Sequence, residues 1–198
     1  MTDELAIEVL RGAAIRPWLN EVARLRIAVF REWPYLYDGD EGYEARYLEA
    51  YARSDDGVLV LVRAGGRVVG ASTGLPLEDE TEPFQAPFRA AGIPPGSVFY
   101  CGESVLDPRY RGRGIYRQLF AAREAHARAL GRFEWIAFAA VERDPEDPRR
   151  PPDHRPLEPF WRRLGYEKRP ELRMRLGWKE VSRPGEQENT LAFWLRRL

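Results

Sequence analysis

The sequence predicts an α/β domain in which one mixed sheet carries helices on both faces. The chain of 198 residues, with 44% hydrophobic and 12% aromatic content, is large enough to form one packed core. Strand and helix patterns alternate along it in the order β, two helices, three β, α, β, α and two β. The apolar run Glu134–Val141 is typical of a central strand that is covered on both faces. We therefore expect a single domain over residues 1–198.

The N-terminal part is predicted to contain one strand and two helices. Ala6–Leu10 is short and apolar, which indicates a strand. Arg16–Arg31 carries apolar residues at helical spacing, and Tyr43–Arg53 is predicted to be the second helix. Between them, EWPYLYDGDEGYE is rich in aromatic residues, proline, glycine and acids, and we interpret it as a structured loop with turns.

The central part is predicted to form a hairpin, a loop and a long strand. Val58–Val62 and Arg67–Ser72 are rich in β-branched residues and flank the sequence Ala-Gly-Gly, which favours a tight hairpin. Glu78–Gly96 contains four prolines and has no clear period, so we expect a loop with at most one helical turn. Ser97–Leu106 is predicted to be one long strand.

The C-terminal part is predicted to begin with an amphipathic helix. Gly112–Leu130 places its apolar residues on one helical face, and Gly131 suits the position just after the helix. Residues 143–156 contain five prolines and are predicted to be an extended loop. A short helix and two final strands complete the predicted elements: Leu157–Leu164, Tyr166–Trp178 and Thr190–Arg197.

The composition excludes several classes of protein. With 31 basic and 31 acidic residues the net charge is zero, which argues against a nucleic-acid partner. The single cysteine, Cys101, permits no internal disulfide, and we expect a cytoplasmic location. The first residues, MTDELAIEVL, lack the features of a signal peptide, and no apolar run approaches the ~20 residues of a membrane span, so no membrane partner is expected. Two histidines and one cysteine show no metal-ligand spacing, so we predict no metal.

The segment LDPRYRGRGI joins the long predicted strand to the amphipathic helix. The start of a helix has unpaired N–H groups and the positive end of the helix dipole, so it attracts anions. Gly112 and Gly114 lack a Cβ and let an anion approach the backbone, while Arg111 and Arg113 add charged donors. The pattern predicts a phosphate or pyrophosphate site, although an arginine-rich helix start can also be only a solvated surface.

Two common phosphate-binding loops do not match this segment. A P-loop requires Gly-Lys followed by Ser or Thr, which the sequence lacks. A dinucleotide-binding loop requires glycine or alanine three residues after Gly114, where Arg117 stands.

The segment instead resembles the acetyl-CoA loop of the GNAT superfamily of N-acetyltransferases. The signature of that family, [QR]-x-x-G-x-[GA], is met by Arg109, Gly112 and Gly114. Further along, FWRRLGY at residues 160–166 resembles the second element of the family, a short helix that ends in Gly-Phe or Gly-Tyr. The resemblance covers residues 58–198 and, more loosely, the first two helices.

The resemblance implies a mostly antiparallel sheet that is splayed between the fourth and fifth strands, Ser97–Leu106 and Glu134–Val141. It also implies acetyl-CoA as cosubstrate, with the pantetheine arm in the gap beside the backbone of Val105 and Leu106. Six residues would hold the pyrophosphate: Arg111, Gly112, Arg113, Gly114, Ile115 and Tyr116. His154 lies where the family often has an asparagine, and could hydrogen-bond the arm or relay a proton; an inert loop histidine is the alternative.

In such an enzyme an amine of a small molecule or protein attacks the thioester directly. Glu103 is the candidate general base, since some family members carry a glutamate with that role on this strand. The alternative is that Glu103 only pairs with a nearby arginine. Strand alternation would place Glu103 on one face with Cys101 and Val105, whereas a β-bulge, common in the family, would change that register. We expect Cys101 to be a buried residue without a catalytic role.

Trp161 departs from the family pattern, which has a tyrosine here to protonate the departing thiolate. An indole N–H is not a useful acid, so the general acid is absent, is water or is supplied from elsewhere. Tyr116, Tyr100 and Tyr166 are the candidate donors, and a structural role is the alternative for each. The absent tyrosine also makes a non-catalytic acyl-CoA-binding or sensor protein an alternative function on the same fold.

The acceptor and the oligomeric state are predicted less directly. In the family the region between the first two helices covers the acceptor site, and aromatic and acidic residues there would suit a cationic or aromatic amine: Trp33, Tyr35, Tyr37, Asp38, Asp40 and Glu41. A surface loop anchored by its own aromatic residues is the alternative. The apolar last strand, with Leu191, Phe193 and Leu195, could form a homodimer interface.

Overall fold

The computed structural model describes residues 4–198 and follows the predicted order of elements, with one added helix and with the predicted fourth strand divided in two. The strands in this range are β1 Leu5–Arg11, β2 Val58–Ala64, β3 Arg67–Pro76, β4 Val98–Cys101, β5 Ser104–Leu106, β6 Trp135–Val141, β7 Glu167–Lys179 and β8 Glu186–Arg197. The α-helices are α1 Leu19–Phe30, α2 Glu41–Arg53, α3 Glu82–Ala90, α4 Ile115–Leu130 and α5 Glu158–Arg163.

The strands form one sheet in the order β1-β2-β3-β4-β6-β8-β7, with β5 beside β3. Neighbouring strands are antiparallel except β4 and β6, which are parallel. Gly65 and Gly66 form the hairpin between β2 and β3, and both have positive φ angles (54° and 81°), as a two-residue hairpin turn requires. The predicted mixed, mostly antiparallel sheet is confirmed.

The sheet opens where the predicted fourth strand, Ser97–Leu106, breaks into β4 and β5. β4 pairs with β6 only as far as Cys101, which lies opposite Phe138. Beyond this point β5 pairs with β3, and no strand of residues 4–198 lies between β5 and the end of β6. This gap is the predicted splay towards Glu134–Val141.

Helices cover both faces of the sheet, so the central strands are buried on both sides. In β2, Leu59 and Leu61 pack towards α1 and α2, whereas Val58, Val60 and Val62 pack towards α4. α3 covers the same face as α1 and α2, further along the sheet towards β7. Because side chains alternate between the faces of a strand, a run of apolar residues is required wherever both faces are covered.

The helix α3 forms where the sequence predicted a loop over Glu78–Gly96. Pro83 lies in the first turn of α3, where a main-chain N–H has no helical partner to lose. Phe84 and Phe88 lie one turn apart and are 7% and 0% exposed, so their burial stabilises the helix. The sequence predicted a loop because of its prolines, and two phenylalanines one turn apart are too short a pattern to predict a helix.

The strand β8 lies inside the sheet, between β6 and β7. Its apolar residues Leu191, Phe193 and Leu195 are buried in the core and are therefore not a surface for another subunit. The homodimer interface predicted from them is wrong in its location. Within residues 4–198, no helix combines the length and the apolar character needed to cross a bilayer.

Candidate active site

The loop between β5 and α4 presents unshielded backbone at the start of a long helix. Gly112 and Gly114 have φ angles of 77° and 75°, and a Cβ at either position would meet no atom within 4 Å. α4 then begins at Ile115 and runs for 16 residues. An exposed backbone at the positive end of a helix fits the diphosphate of a coenzyme.

The arginines of this loop surround the opening. Arg109 binds Asp107 through its Nε (3.0 Å), and this bond holds the pKa of Asp107 below its usual range. Arg111 contacts Glu32 at 2.9 Å, and Arg113 lies over the ring of Tyr110. All three arginines are exposed; Arg109 and Arg111 are paired with carboxylates, and Arg113 has no salt bridge to another side chain of residues 4–198.

The last two predicted loop residues differ in burial. Ile115 is 2% exposed and Tyr116 is half-buried. Ile115 can therefore contribute only its main-chain N–H to a ligand.

A ligand in the gap beside β5 could contact the main chain of this strand but not its apolar side chains. Val105 and Leu106 are both buried, Val105 towards α1 and Leu106 towards α4. One edge of β5 pairs with Gly70 and Ala71 of β3. The other edge faces the splay, where an extended ligand could add as a further strand.

The break between β4 and β5 turns Glu103 to the face covered by α1 and α2. Cys101 packs on the α4 face, and after the break Glu103 and Val105 lie on the opposite one. The main-chain oxygen of Glu103 accepts hydrogen bonds from Arg123 Nη1 and Ser72 Oγ, both at 2.9 Å. The structure therefore has the change of register that a bulge would cause.

Cys101 is fully buried, and burial raises the pKa of its thiol to about 11. The thiol is therefore protonated at neutral pH and is not a nucleophile. Within residues 4–198 no group of His, Cys, Asp and Glu side chains could hold a metal ion.

Arg26 joins two buried carboxylates on this face. Its guanidinium forms ion pairs with Glu44 of α2 and Glu103, and lies over the rings of Phe30 and Tyr47. Burial opposes the charge of Arg26, but the two glutamates raise its pKa above the ordinary value. Burial raises the pKa of Glu103, and Arg26 opposes that rise.

Sequence reasoning missed Arg26 and Glu44, although a signal for both exists. Arg26 lies four residues after Val22 and four before Phe30, on the stripe that the helix buries. Glu44 precedes the buried Leu48 by the same interval. A charged residue on the apolar stripe of a helix indicates a buried partner, because an unpaired buried charge is costly.

A second buried group lies beside the break. Tyr47 Oη and Tyr51 Oη are 2.9 Å apart, and Tyr51 Oη donates to Glu80 Oε1 at 3.2 Å. Tyr51 reaches this position because residue 102 is glycine. A Cβ on Gly102 would lie 1.9 Å from Tyr51 Oη and 2.9 Å from Thr73 Oγ1. Nothing in the spacing of Tyr51, Glu80 and Gly102 along the sequence predicts this arrangement.

The loop between α1 and α2 is hydrogen-bonded to the segment that follows β6, on the side of the splay opposite β5. Glu180, 1% exposed, binds Arg143 at 2.6 Å and Arg149 at 2.5 Å. Arg143 also donates to the carbonyl oxygens of Pro34 (2.6 Å) and Tyr35 (2.9 Å). Burial opposes ionisation of Glu180, but the two guanidiniums lower its pKa.

The acids of the α1–α2 loop have structural contacts. Asp38 binds Arg31 at 3.0 Å and Lys179 at 2.8 Å, and its pKa is lowered by those bonds. Asp40 caps α2 by accepting from the Tyr43 N–H at 2.8 Å. Both carboxylates therefore have partners within the loop and its neighbours.

The remaining predicted site residues lie around the second motif. His154 packs edge-on against Trp33, with ring centroids 6.1 Å apart. Trp161 packs against Phe138 and Trp194, at 4.9 and 5.1 Å.

Of the three alternative proton donors, Tyr116 packs against Phe120 and Phe160, with ring centroids 5.2 and 5.4 Å apart. Burial raises the pKa of Tyr116, and Arg123, Trp161 and Arg111 moderate that rise. Tyr166 donates to Glu124 at 3.1 Å, and Tyr100 lies on the opposite face of the sheet from α4.

Known proteins resemble this chain in sequence pattern and in fold. The model of the acetyltransferase (GNAT) family matches residues 22–166. No curated protein shows a significant sequence match to the chain.

Solved structures share the fold at low sequence identity. An N-acetyltransferase from Staphylococcus aureus Mu50 is 13% identical, with a TM-score of 0.60 over 98% of both chains. A ribosomal-protein-alanine N-acetyltransferase from Brucella melitensis is 15% identical, with a TM-score of 0.61 over 96% of this chain and 99% of that one. YncA from Salmonella typhimurium, whose structure contains its cofactor acetyl-CoA, is 12% identical, with a TM-score of 0.56 over 98% of this chain and 94% of that one.

Proposed function

Since the chain belongs to the acetyltransferase (GNAT) family, we propose that it is an acetyl-CoA-dependent N-acetyltransferase acting on a primary amine of a small molecule or protein. The observation that carries the proposal is the pair of open glycines, Gly112 and Gly114, at the start of α4 beside the splayed strands. A cytoplasmic location is part of the proposal, supported by the single buried cysteine, which forms no disulfide.

The residues present fit acetyl-CoA. The N–H groups of residues 111–116 would bind the diphosphate, with Arg111 and Arg113 adding positive charge. The free edge of β5 at Val105 and Leu106 would hydrogen-bond the pantetheine arm. His154, beside Trp33, stays a prediction as a contact of that arm. When bound, acetyl-CoA supplies the acetyl group as a reactive thioester.

The protein mainly aligns two reactants in this proposal. Acetyl-CoA would bind in the splay, and the amine would bind on the sheet face covered by α1 and α2. In these positions the amine nitrogen would lie next to the thioester carbonyl. Holding two reactants in an attacking geometry can lower a barrier by about 7–11 kcal/mol at best. Glu103 stays the sequence-derived candidate for the general base, although it is buried and paired with Arg26.

The proton for the departing thiolate is proposed to come from Tyr116. We expect Tyr116→Phe to lower kcat about tenfold, because the ring packing is kept and only the acidic hydroxyl is lost. The KM for acetyl-CoA should not change. The double variant Tyr116→Phe/Trp161→Tyr should recover part of kcat, because it places a phenol at the position of the indole. Initial rates of thiol release measure both effects, and an unchanged kcat in Tyr116→Phe would exclude this role.

A non-catalytic acyl-CoA sensor is the second candidate, favoured by Trp161 at the position of the family's tyrosine. Two measurements separate the candidates: calorimetric titration with acetyl-CoA, and thiol release in the presence of tyramine, putrescine or a lysine-containing peptide. An N-acetyltransferase should bind acetyl-CoA and release thiol with at least one amine. Binding without turnover would favour the sensor, and no heat at millimolar acetyl-CoA would exclude both.

A further inference from the structure

A row of hydrogen bonds leads away from the splay to a buried acid. Tyr47 is half-buried, Tyr51 is fully buried, and Glu80 is 8% exposed on the turn after β3. The distances are 2.9 Å from Tyr47 Oη to Tyr51 Oη and 3.2 Å from Tyr51 Oη to Glu80 Oε1. The contact between Tyr51 Oη and Gly102 places this row at the break between β4 and β5.

The row has a direction. A phenol has one proton to donate, and Tyr51 donates it to Glu80, so Tyr47 must be the donor to Tyr51. The oxygen of Tyr47 is then left as an acceptor at the half-buried end. A proton accepted there can move inward as each phenol passes on its own proton.

The other buried carboxylate near the break is less suited to receive a proton. Glu103 is ion-paired with Arg26, which also binds Glu44. Protonation of Glu103 would remove one partner of a buried guanidinium, and breaking such a pair is costly. The carboxylate of Glu80 accepts hydrogen bonds from Tyr51 and from the Thr81 N–H (3.2 Å), and within residues 4–198 it forms no salt bridge with a cation.

We propose that Glu80 receives, through Tyr51 and Tyr47, the proton that the acceptor ammonium must lose before it attacks. The inference rests on the proposed N-acetyltransferase function. An ammonium acceptor carries three protons: the amide product keeps one, a second replaces the proton that Tyr116 gives to the departing thiolate, and the third leaves through this row. The C–N bond forms and the C–S bond breaks without oxidation or reduction. Glu80 acts through the two phenols and is thus a positioning residue and proton acceptor.

The ionisation of these groups agrees with the direction of the row. Burial, the largest cause, raises the pKa of Glu80 to about 7, so its carboxylate can both gain and lose a proton near neutrality. Burial also raises the pKa of Tyr47 and Tyr51 well above the usual value, so both phenols stay neutral.

Charged groups from every neighbouring element act on Glu80. Arg26 of α1 and the hydrogen bonds from Thr81 and Tyr51 lower its pKa, whereas Glu103 raises it. The other polar neighbours on packed elements are Tyr47 of α2, Tyr100 of β4 and Gln85 of α3, and the Gln85 amide donates to the Glu80 carbonyl. On the turn itself, Asp79 accepts a hydrogen bond from Ser54, and Glu78 accepts one from Arg132. Glu78 and Asp79 are exposed, whereas Glu80 itself is 8% exposed.

The test compares pH profiles of kcat/KM for Glu80→Gln, Tyr51→Phe, Glu103→Gln and the control Glu78→Gln, which changes an exposed acid of the same turn. Tyramine, putrescine and the lysine-containing peptide serve as acceptors. In the wild type kcat/KM should rise as pH passes through about 7, because Glu80 must be ionised to accept the proton. Glu80→Gln and Tyr51→Phe should lack this rise, and their kcat should be about 100-fold lower than that of the wild type. The control Glu78→Gln should keep both the rise and the wild-type kcat.

A second readout does not depend on turnover. The pKa of Glu80 is higher in the folded than in the unfolded chain, so the wild type loses stability as pH rises from about 4.5 to about 7. Gln does not titrate, and the melting temperature of Glu80→Gln relative to the wild type should therefore be higher at about pH 8 than at about pH 5. An equal difference at both pH values would contradict the inference.

The outcomes separate the two proposals. An active wild type whose rise near pH 7 persists in Glu80→Gln, or disappears only in Glu103→Gln, overturns the role of Glu80 and leaves the N-acetyltransferase standing. A wild type that binds acetyl-CoA but acetylates none of the amines overturns both.

Discussion

Replacing Gly114 by alanine is expected to weaken acetyl-CoA binding by about tenfold to 100-fold. Gly114 has a φ of 75°, a conformation that costs an L-residue roughly 1–2 kcal/mol. The added methyl group would also project into the open space beside the helix start, where no protein atom lies within 4 Å. Both effects act on the backbone that is proposed to bind the diphosphate. Calorimetric titration of acetyl-CoA measures the change.

Gly131, just after the other end of α4, provides a matched control for this variant. Its φ is 70°, and a Cβ there would also meet nothing within 4 Å. Gly131→Ala should therefore lower the melting temperature about as much as Gly114→Ala and leave acetyl-CoA binding unchanged. If both variants bind acetyl-CoA as the wild type does, the start of α4 is not the coenzyme site.

Replacing Arg26 by methionine is expected to lower the free energy of unfolding by about 3–5 kcal/mol. The change leaves Glu44 and Glu103, 1% and 5% exposed, as buried carboxylates without their cation. For a chain of this size that loss corresponds to roughly 10 °C in melting temperature. Denaturant titration and thermal unfolding measure the change.

Arg24 lies on the same helix and serves as the control. It is exposed and pairs with the exposed Glu41 at 3.5 Å, so Arg24→Met should cost less than about 1 kcal/mol. Adding Glu103→Gln to Arg26→Met should recover part of the stability, since one unpaired charge is removed. Equal stability of Arg26→Met and Arg24→Met would show that the buried ion pairs contribute little.

The fold was largely predictable because its determinants are local in sequence. The β2–β3 hairpin follows from two glycines between β-branched runs, and the start of α4 follows from Gly112 and Gly114. α3 was missed because its stability comes from Phe84 and Phe88 packing in the core, which no short pattern displays. The homodimer surface was misplaced because an apolar strand looks the same in a sequence whether it lies inside a sheet or at its edge.

The candidate site likewise has one part that could be predicted from the sequence and one part that could not. The proposed coenzyme-binding half consists of consecutive residues, Arg111–Tyr116, so its proposed chemistry follows from the order of residue types. The half proposed to face the amine joins distant residues: Arg26 meets Glu103 across 77 positions, and Tyr51 meets Glu80 across 29. Such contacts depend on how strands and helices pack.

The sequence by itself determined the mixed sheet and the glycine-rich start of α4, because backbone conformation and hydrophobic periodicity are properties of neighbouring residues. Only the tertiary structure decided which acid is free to take a proton. The register change at Gly102 turns Glu103 towards Arg26, and the missing side chain of Gly102 admits the hydroxyl of Tyr51 that binds Glu80. Burial and partners set the protonation of these carboxylates, and both arise only when the separate elements are packed together.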